Sequence, residues 1–318
     1  MSLNKLNRWF YVAVISIFLV ACTEQKADPL VVGTNIWPGY EPLYVARSAE
    51  LWDNDAIKLV EFTSASEVLR AFRNNTLDVA ALTLDEALLL IGDRTDARII
   101  MGTDFSAGGD AVIAQSEITN VSDLVGKKIG VESTALGAYM LARFLEKSSL
   151  SAADITPVYL QFNEHLEAFK SKKVDAVVTF DPIRTELLKL NGSVLFSTIS
   201  IPKEVIDVLV TSEDVIRYKP EQLHALVKGW NQSIKLINNS PERSLSLMMP
   251  RLGMSKEELE GALAGIRLLD AEENRKLFVG EAAEIKKIAA KVQDVMLSNY
   301  LMPSAVFRSE HVDDQFVE

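Results

Sequence analysis

The chain has 318 residues, of which 33 are basic and 44 acidic, giving a net charge of −11. A protein this acidic will not seek nucleic acid or anionic lipid by charge, which excludes those binding classes. Its single cysteine, Cys22, excludes an internal disulfide and a thiol metal site.

The N-terminus has the features of a lipoprotein signal. Lys5 and Arg8 precede an apolar run over residues 11–21 that is too short to cross a bilayer. The run ends in Leu-Val-Ala-Cys22, which resembles the lipobox of bacterial lipoproteins. The resemblance implies that residues 1–21 are removed, that Cys22 is lipidated and that residues 22–29 form a tether on the periplasmic side of the inner or outer membrane. Removal leaves 31 basic and 44 acidic residues, a net charge of −13.

The first strand of the folded part is followed by an aromatic turn. Val31 and Val32 are apolar and β-branched, whereas Trp37-Pro38-Gly39-Tyr40 cannot continue a strand. Pro42 then fits the first turn of a helix over residues 42–52. Two aromatic side chains therefore lie at the carboxyl end of a strand, where open α/β sheets bind ligands. The alternative is that they are core or lid residues.

A repeat at one fixed offset organises the next part of the chain. Residues 64–80 align without gaps on residues 161–177, an offset of 97. The same offset carries Val32-Gly33 onto Ile129-Gly130 and Phe62 onto Tyr159. Three matching blocks in one register indicate a duplicated unit.

Each unit is predicted to alternate strands and helices. In the first, strands cover residues 30–34, 57–62 and 79–83, and helices cover 42–52 and 66–75. In the second, strands cover 128–131, 156–160 and 175–180, and helices cover 136–147 and 164–170. This alternation predicts two α/β lobes with mostly parallel sheets and right-handed crossovers.

Two segments are predicted to cross between the lobes. The first is 98–115, two β-rich pieces around a glycine-rich turn, and the second is the apolar stretch 205–211. Helices over residues 220–238, 241–252, 256–266, 271–278 and 281–299 should then pack on the first lobe. Lobe 1 is thus predicted to comprise residues 30–113 and 209–302, lobe 2 residues 114–208, and a flexible tail residues 303–318.

Several motifs together resemble a known family. They are the GTN-W-GYEPLYVAR opening, the two AF-basic-xxx-aliphatic-Asp blocks and VSDLVGKKIGV at residues 121–131. They resemble solute-binding proteins of ABC importers, of the nitrate, sulfonate, taurine and thiamine-precursor type, over about residues 30–280. The resemblance implies the type II periplasmic binding protein fold, in which two lobes close on a small molecule. It also implies a permease and its ATPase as partners, no cofactor, and a monomer.

The repeat predicts the ligand site, because the carboxyl ends of matching strands should face each other across the gap. The candidates with hydroxyl groups also lie at positions where a helix needs an N-cap. For each of them the alternative to ligand binding is therefore helix capping. The candidates are Asn35, Trp37, Tyr40, Glu41, Ser64, Ser66, Thr83 and Asp85 in lobe 1, Ser106 and Asp110 in the crossing, and Ser133, Thr134, Thr179 and Asp181 in lobe 2.

Charge favours one ligand class over another. Helix N-termini suit a sulfonate, carboxylate or phosphate, but the acids near the predicted rim are Glu41, Asp85, Asp104, Asp110, Glu132 and Asp181. The only basic candidate beside them is Arg184. Aromatic and carboxylate groups favour an organic amine, a zwitterion or a nitrogen heterocycle, with a sulfonate as the second class and nitrate or bicarbonate disfavoured. The alternative is that these acids cap helices or face water.

Two other classes of function were weighed against solute binding. The three histidines, His165, His224 and His311, belong to no catalytic motif, so an enzyme is not predicted. A secreted relative of the thiamine-pyrimidine synthases is the less favoured enzyme alternative. A sensor that reports ligand to a signalling membrane partner would use the same lobes and stays open.

Overall fold

The computed structural model describes residues 28–132 and 135–317. The predicted signal peptide, Cys22 and most of the tether lie outside these residues, as do the candidates Ser133 and Thr134. Within the described ranges, none of the helices has both the length and the apolar character that a bilayer crossing needs.

The secondary structure follows the predicted alternation. The strands are β1 Leu30–Thr34, β2 Ile57–Glu61, β3 Val79–Thr83, β4 Ala97–Ser106, β5 Ala111–Ala114, β6 Lys128–Glu132, β7 Thr156–Leu160, β8 Ala176–Thr179, β9 Ser193–Ser197, β10 Ile206–Ser212 and β11 Ile266–Leu268. The helices are α1 Glu41–Ser48, α2 Ala65–Arg73, α3 Leu84–Asp93, α4 Ala135–Ser148, α5 His165–Lys170, α6 Ile183–Lys189, α7 Glu213–Tyr218, α8 Pro220–Asn239, α9 Pro241–Leu252, α10 Lys256–Ala264, α11 Ala271–Phe278 and α12 Glu284–Ser298. Short 3-10 turns include Pro38–Tyr40 and Phe162–Glu164.

The strands form two separate sheets with the same plan. The first has the order β11-β4-β10-β3-β1-β2 and the second the order β7-β6-β8-β5-β9. In each sheet the strands of one repeat unit pair in parallel, and a strand from the crossing segments, β10 or β5, is inserted antiparallel beside them. Gly33 and Gly130 therefore lie in different sheets. The two-lobed α/β prediction is confirmed, and we call the first sheet with its helices lobe 1 and the second lobe 2.

The repeat is visible in the hydrogen bonds. Gly33 pairs with Ala80 in lobe 1, and Gly130 pairs with Val177 in lobe 2. Both residues of the second pair lie 97 positions after the corresponding residues of the first. Asp78 accepts the Val31 N–H at 2.8 Å, and 97 residues later Asp175 accepts the Lys128 N–H at 2.8 Å. The repeated aspartate therefore holds the entry of its strand, a structural role.

One predicted equivalence in the repeat was wrong. The β1–β2 pairing sets Thr34 beside Glu61, whereas the β6–β7 pairing sets Val131 beside Tyr159. The offset at this strand is therefore 98, and Phe62 corresponds to Leu160 rather than to Tyr159. A one-residue insertion between the two strands of the second unit accounts for the change.

The sheets also correct the predicted lobe boundaries. Strand β5 pairs with β8 and β9, so residues 111–113 belong to lobe 2 and not to lobe 1. Strand β10 pairs with β3 and β4 from Ile206 onward, so residues 206–208 belong to lobe 1. An apolar run predicts a strand, but it does not tell which sheet that strand joins. The structure also adds α3, α6, α7 and β11, which the sequence analysis did not predict.

The described part of the C-terminal tail, residues 303–317, contacts lobe 1 at several points. Val312 bridges to Ile99 of β4, and the Asp313 N–H donates to the Ile99 carbonyl at 2.9 Å. The Gln293 side chain accepts the N–H groups of residues 306 and 307 at 2.7 and 2.8 Å. Phe316 is buried and lies against His224. The polar composition of the tail obscured these few apolar anchors.

Candidate functional site

A cavity lies where the carboxyl ends of β1 and β3 face those of β6 and β8. The centre of a water-sized sphere can occupy about 20 Å³ of it. Both lobes contribute to its wall, as the repeat predicted. The lining residues are Asn35, Trp37, Tyr40, Ala65, Thr83, Glu86, Asp110, Glu132, Leu136, Phe180 and Asp207. We call this space the main cavity.

Aromatic side chains form one wall of the main cavity. Trp37 of lobe 1 meets Phe180 of lobe 2 edge to face, with 5.7 Å between ring centroids. Phe180 in turn stacks on Phe162 at 4.3 Å. Gly39 allows this arrangement, because a Cβ there would lie 2.2 Å from Trp37 Nε1 and 2.3 Å from a carboxyl oxygen of Asp104. The aromatic turn therefore carries a contact between the lobes.

Carboxyl groups surround the same space. Each is at most 5% exposed, and we call them the acid cluster: Asp85, Glu86, Asp104, Asp110, Glu132, Asp181 and Asp207. Arg184 pairs with Asp181 at 3.5 Å. Across residues 28–132 and 135–317, the other six have no basic group within ion-pair distance. Such a concentration of buried acid is costly unless the acids are protonated or a cation joins them.

Burial shifts the acid–base behaviour of the cluster. It raises the pKa of Asp85 to about 6 and the pKa of Asp104, Asp110 and Glu132 to about 7. For Asp104 and Asp110 the charges of neighbouring carboxylates raise the pKa further. The cluster therefore holds protons near neutral pH, and it can release them when a positive charge approaches.

Hydrogen bonds fix the orientation of the cluster's members. The Tyr40 hydroxyl donates to Asp207, and the Trp37 indole N–H donates to Asp104 at 3.3 Å. The Thr83 N–H donates to the Glu86 carboxylate at 3.1 Å, as in a helix cap at the start of α3. Because the donors are backbone or buried aromatic groups, these carboxyl oxygens are held in place.

A second cavity, in which the centre of a water-sized sphere can occupy about 10 Å³, lies behind Phe180 on the lobe 2 side. Asp110, Glu132 and Phe180 line both cavities, so the two spaces meet there. His165 and Thr179 line only the second one. We call it the rear cavity.

Five sequence candidates line the main cavity, namely Asn35, Trp37, Tyr40, Thr83 and Asp110. Thr179 lines the rear cavity. Asp85 is buried in the acid cluster but lines neither space.

Several candidates have structural partners instead. Glu41 is buried under Arg251, which lies 3.8 Å above the Tyr44 ring. Ser64 caps α2 by accepting the Glu67 N–H at 3.4 Å. Ser66 lies in the first turn of α2 and lines neither cavity. For these three the expectation of a cavity position was wrong.

Ser106 and Asp181 also lie outside both linings. The Ser106 hydroxyl bonds the Thr198 hydroxyl at 2.8 Å, which joins the end of β4 to the turn after β9. Asp181 begins α6 by accepting the Thr185 N–H at 3.0 Å and the Thr185 hydroxyl at 2.6 Å. Both residues lie at or just after the end of a strand. A polar side chain there can form hydrogen bonds with the next turn of the chain as readily as with a ligand.

Sequence reasoning missed lining residues of two kinds. Phe180 stands 97 residues after Thr83, so the repeat carried a signal for it, whereas Glu132, 97 residues after Asn35, was already expected near the rim. Asp207 had no such signal, because its strand arrives in lobe 1 from the far end of lobe 2. Ala65, Glu86 and Leu136 were also missed as lining residues. The described residues contain no group of three or more histidine, cysteine or acidic side chains suited to a metal ion.

Named relatives share the sequence at low identity. A putative binding protein of Brucella abortus is 25% identical over 240 residues, covering 73% of this chain and 74% of the relative. The putative aliphatic sulfonates-binding protein of Escherichia coli is 24% identical over 253 residues, covering 76% of each chain. These relatives are named as binding proteins.

Solved structures share the fold. The alkanesulfonate-binding protein SsuA from Xanthomonas axonopodis pv. citri, bound to MOPS, superposes with a TM-score of 0.77 at 20% identity, covering 90% of this chain and 98% of that one. The desulfurization enzyme DSZB superposes with a TM-score of 0.65 at 16% identity, covering 90% and 97%. The model of the NMT1-like family matches residues 23–247. The chain therefore belongs to the NMT1-like family, and it has the fold of periplasmic binding proteins.

Proposed function

We propose that this protein is an extracytoplasmic solute-binding protein that encloses a small organic molecule bearing a positively charged amine. The observation that supports this ligand class is the acid cluster beside the aromatic wall of the main cavity. An ammonium group would join carboxylates that have no basic partner among the described residues, and Trp37 and Tyr40, which line the same cavity, could attract it with a ring face. A cation held against an aromatic ring can gain about 1–2 kcal/mol when desolvated.

A sulfonate is the second candidate, because the Escherichia coli and Xanthomonas relatives are named for sulfonates. A zwitterion that carries both an amine and a sulfonate would satisfy both arguments. MOPS is such a molecule, since its morpholine nitrogen is basic. We therefore favour an amine or a zwitterion, and we place a purely anionic sulfonate second.

The proposal includes the cell biology that the signal motif suggests. Lipidation at Cys22 would hold the protein at a membrane surface facing the periplasm, and an ABC permease with its ATPase would take the solute. The protein would act as a monomer, with residues 22–29 as the tether. A sensor of the same solute is the alternative role, and a secreted enzyme is a lesser one. Copurification of the permease with the lipidated protein would favour import.

The pH dependence of binding separates an amine from a sulfonate. A simple amine stays positively charged between pH 5 and 8. Because the cluster must lose protons to bind it, amine affinity should rise about tenfold or more over this range. Sulfonate affinity should instead fall as pH rises, because an anion favours protonated acids. The measurement is isothermal titration of taurine, ethanolamine, isethionate and MOPS at pH 5, 6.5 and 8.

Asp104→Asn and Glu257→Gln form the matched pair of variants for this test. Asp104 belongs to the acid cluster, whereas Glu257 is an exposed helix residue. Asp104→Asn should flatten the pH dependence of amine binding, and Glu257→Gln should leave it unchanged. Isethionate binding that strengthens toward low pH, together with no binding of any amine, would contradict the amine class.

A further inference from the structure

We propose that the rear cavity is a second subsite of the same ligand, and that His165 there receives an uncharged hydrogen-bonding group such as a hydroxyl or an amide. This inference rests on the proposed solute-binding function and adds a second recognition element to it. Its basis is a buried imidazole nitrogen without a hydrogen-bond partner among the described residues, on a side chain that lines the cavity.

His165 is fully buried and held on two sides. Its Nδ1 lies 3.1 Å from the Thr179 hydroxyl, and Phe162 packs against the ring with centroids 5.7 Å apart. The opposite nitrogen, Nε2, has no hydrogen-bond partner in the described part of the chain. Since His165 lines the rear cavity, a ligand atom there is the natural partner for Nε2. A buried ring nitrogen without any partner would destabilise the fold.

Glu132 adds a second unpartnered atom. Its Oε1 is buried without a hydrogen bond among the described residues, and Glu132 lines both cavities. The route from the acid cluster to His165 therefore passes Glu132 and the Phe180 ring. A ligand with a cationic end in the main cavity would reach the rear cavity beside Phe180.

The charge state of His165 selects the chemical class of the group. Burial lowers the pKa of His165 to about 4, so the ring is neutral at physiological pH. A neutral imidazole donates from one nitrogen and accepts at the other. If Thr179 donates to Nδ1, then Nε2 carries the proton and donates, and the reverse tautomer accepts. A hydroxyl or an amide can serve either tautomer, whereas a charged group would lose its solvation for one neutral partner.

The test compares amino alcohols with alkylamines of the same length. Wild-type protein at pH 8 is titrated with 2-aminoethanol through 6-aminohexanol and with propylamine through heptylamine. At one chain length the hydroxyl should improve affinity about 3–10-fold, the gain expected of one buried hydrogen bond. Binding of the amines without a gain at any chain length would overturn the subsite.

Variants separate recognition from packing. His165→Phe should abolish the hydroxyl gain, His165→Gln should keep part of it, and His224→Gln, which changes a histidine beside Phe316, should keep all of it. Thr179→Val leaves the imidazole in place but removes its Nδ1 partner, so the gain should shrink. A gain that survives His165→Phe in folded protein would contradict the inference.

A spectroscopic readout covers the case in which no amine binds. That result would refute the proposed ligand class but not the subsite. The protein is then labelled with ¹⁵N-histidine, His165 is assigned from the His165→Gln variant, and propanamide and 1,4-butanediol are titrated. A shift of the His165 Nε2 resonance would support the subsite, and the absence of a shift with either probe would overturn it.

Discussion

The two repeat units have the same frame, by which we mean their strand pairing and backbone bonds, but they place different side chains at the cleft. Asp78 and Asp175 make the same backbone bond, and Asn75 and Lys172, also 97 residues apart, both adopt left-handed backbone after their helices. The positions that line the cavities have diverged. At the offset of 97, Asn35 corresponds to Glu132, Ala65 to Phe162, Val68 to His165 and Thr83 to Phe180.

This difference shows where each kind of constraint acts. Frame positions are set by strand pairing, which is the same in both lobes. Lining positions follow the carboxyl ends of the strands, where the side chain contacts the other lobe rather than its own sheet. Lobe 2 supplies Phe180 and His165, so the two similar halves bring different side chains to the cavities.

The largest expected effect on stability comes from removing the repeated aspartate that holds the entry of a strand in each lobe. Asp78 also accepts a bond from Lys219 at 2.8 Å and is less exposed than Asp175, whose partner Lys127 lies 3.8 Å away. Asp78→Ala should therefore lower the free energy of unfolding by about 2–4 kcal/mol, and Asp175→Ala by about 1–2 kcal/mol. Urea denaturation measures both. Equal losses would mean that the ion pair to Lys219 adds nothing to the shared backbone bond.

A smaller effect should follow from neutralising one acid of the cleft. Burial raises the pKa of Asp104 to about 7, so the folded protein binds protons that the unfolded chain has lost above about pH 4. This difference in proton binding makes the free energy of unfolding fall as pH rises from about 4 to 7. Asp104→Asn removes it and should raise the melting temperature by about 3–6 °C at pH 8.

At pH 5 the same variant should have about a third of this effect, because the unfolded chain has begun to lose the Asp104 proton only about one pH unit below. Differential scanning calorimetry of the protein without added solute checks both values, with Glu257→Gln as the exposed control. A stabilisation of equal size at pH 5 and pH 8 would show that packing, and not charge, is responsible.

The smallest effect is expected at the outer edge between the lobes. Lys189 of α6 pairs with Glu258 of α10, so the contact joins lobe 2 to lobe 1, but both side chains are partly exposed. Such pairs contribute about 0.2–1 kcal/mol and are screened by salt. Lys189→Ala should change ligand affinity less than fivefold, as measured by titration at low and high salt. A tenfold loss would mean that surface charge, rather than the aromatic contact in the cleft, holds the lobes together.

The frame was accessible from the sequence because it depends on local patterns. Apolar runs of strand length, helix stripes and the repeated Ala-Phe and Asp positions predicted the alternation and most element positions. Helix α3 escaped although Thr83 and Glu86 form the capping box of a helix start, because the helix follows the apolar strand β3 with no loop between them. The tail escaped because a few anchors such as Phe316 lie within a polar sequence.

The cleft was predicted in part, at the residues that directly follow strands of the repeat. Asn35, Trp37, Tyr40 and Thr83 line the main cavity for this reason. Asp181 occupies an equivalent position but caps its own helix, and sequence alone does not separate these two uses. Asp207 enters the site only through the return crossing, which no local pattern reveals.

The sequence by itself determined the duplicated unit, the alternation of strands and helices and an acidic site, because these depend on residue types at regular spacings. The tertiary structure decided which acids share one buried space, which of them cap helices, and that His165 faces a cavity rather than a packed core. Those outcomes depend on contacts between residues far apart in the chain. Only the folded chain brings the carboxyl ends of two separate sheets to within a few ångströms of each other.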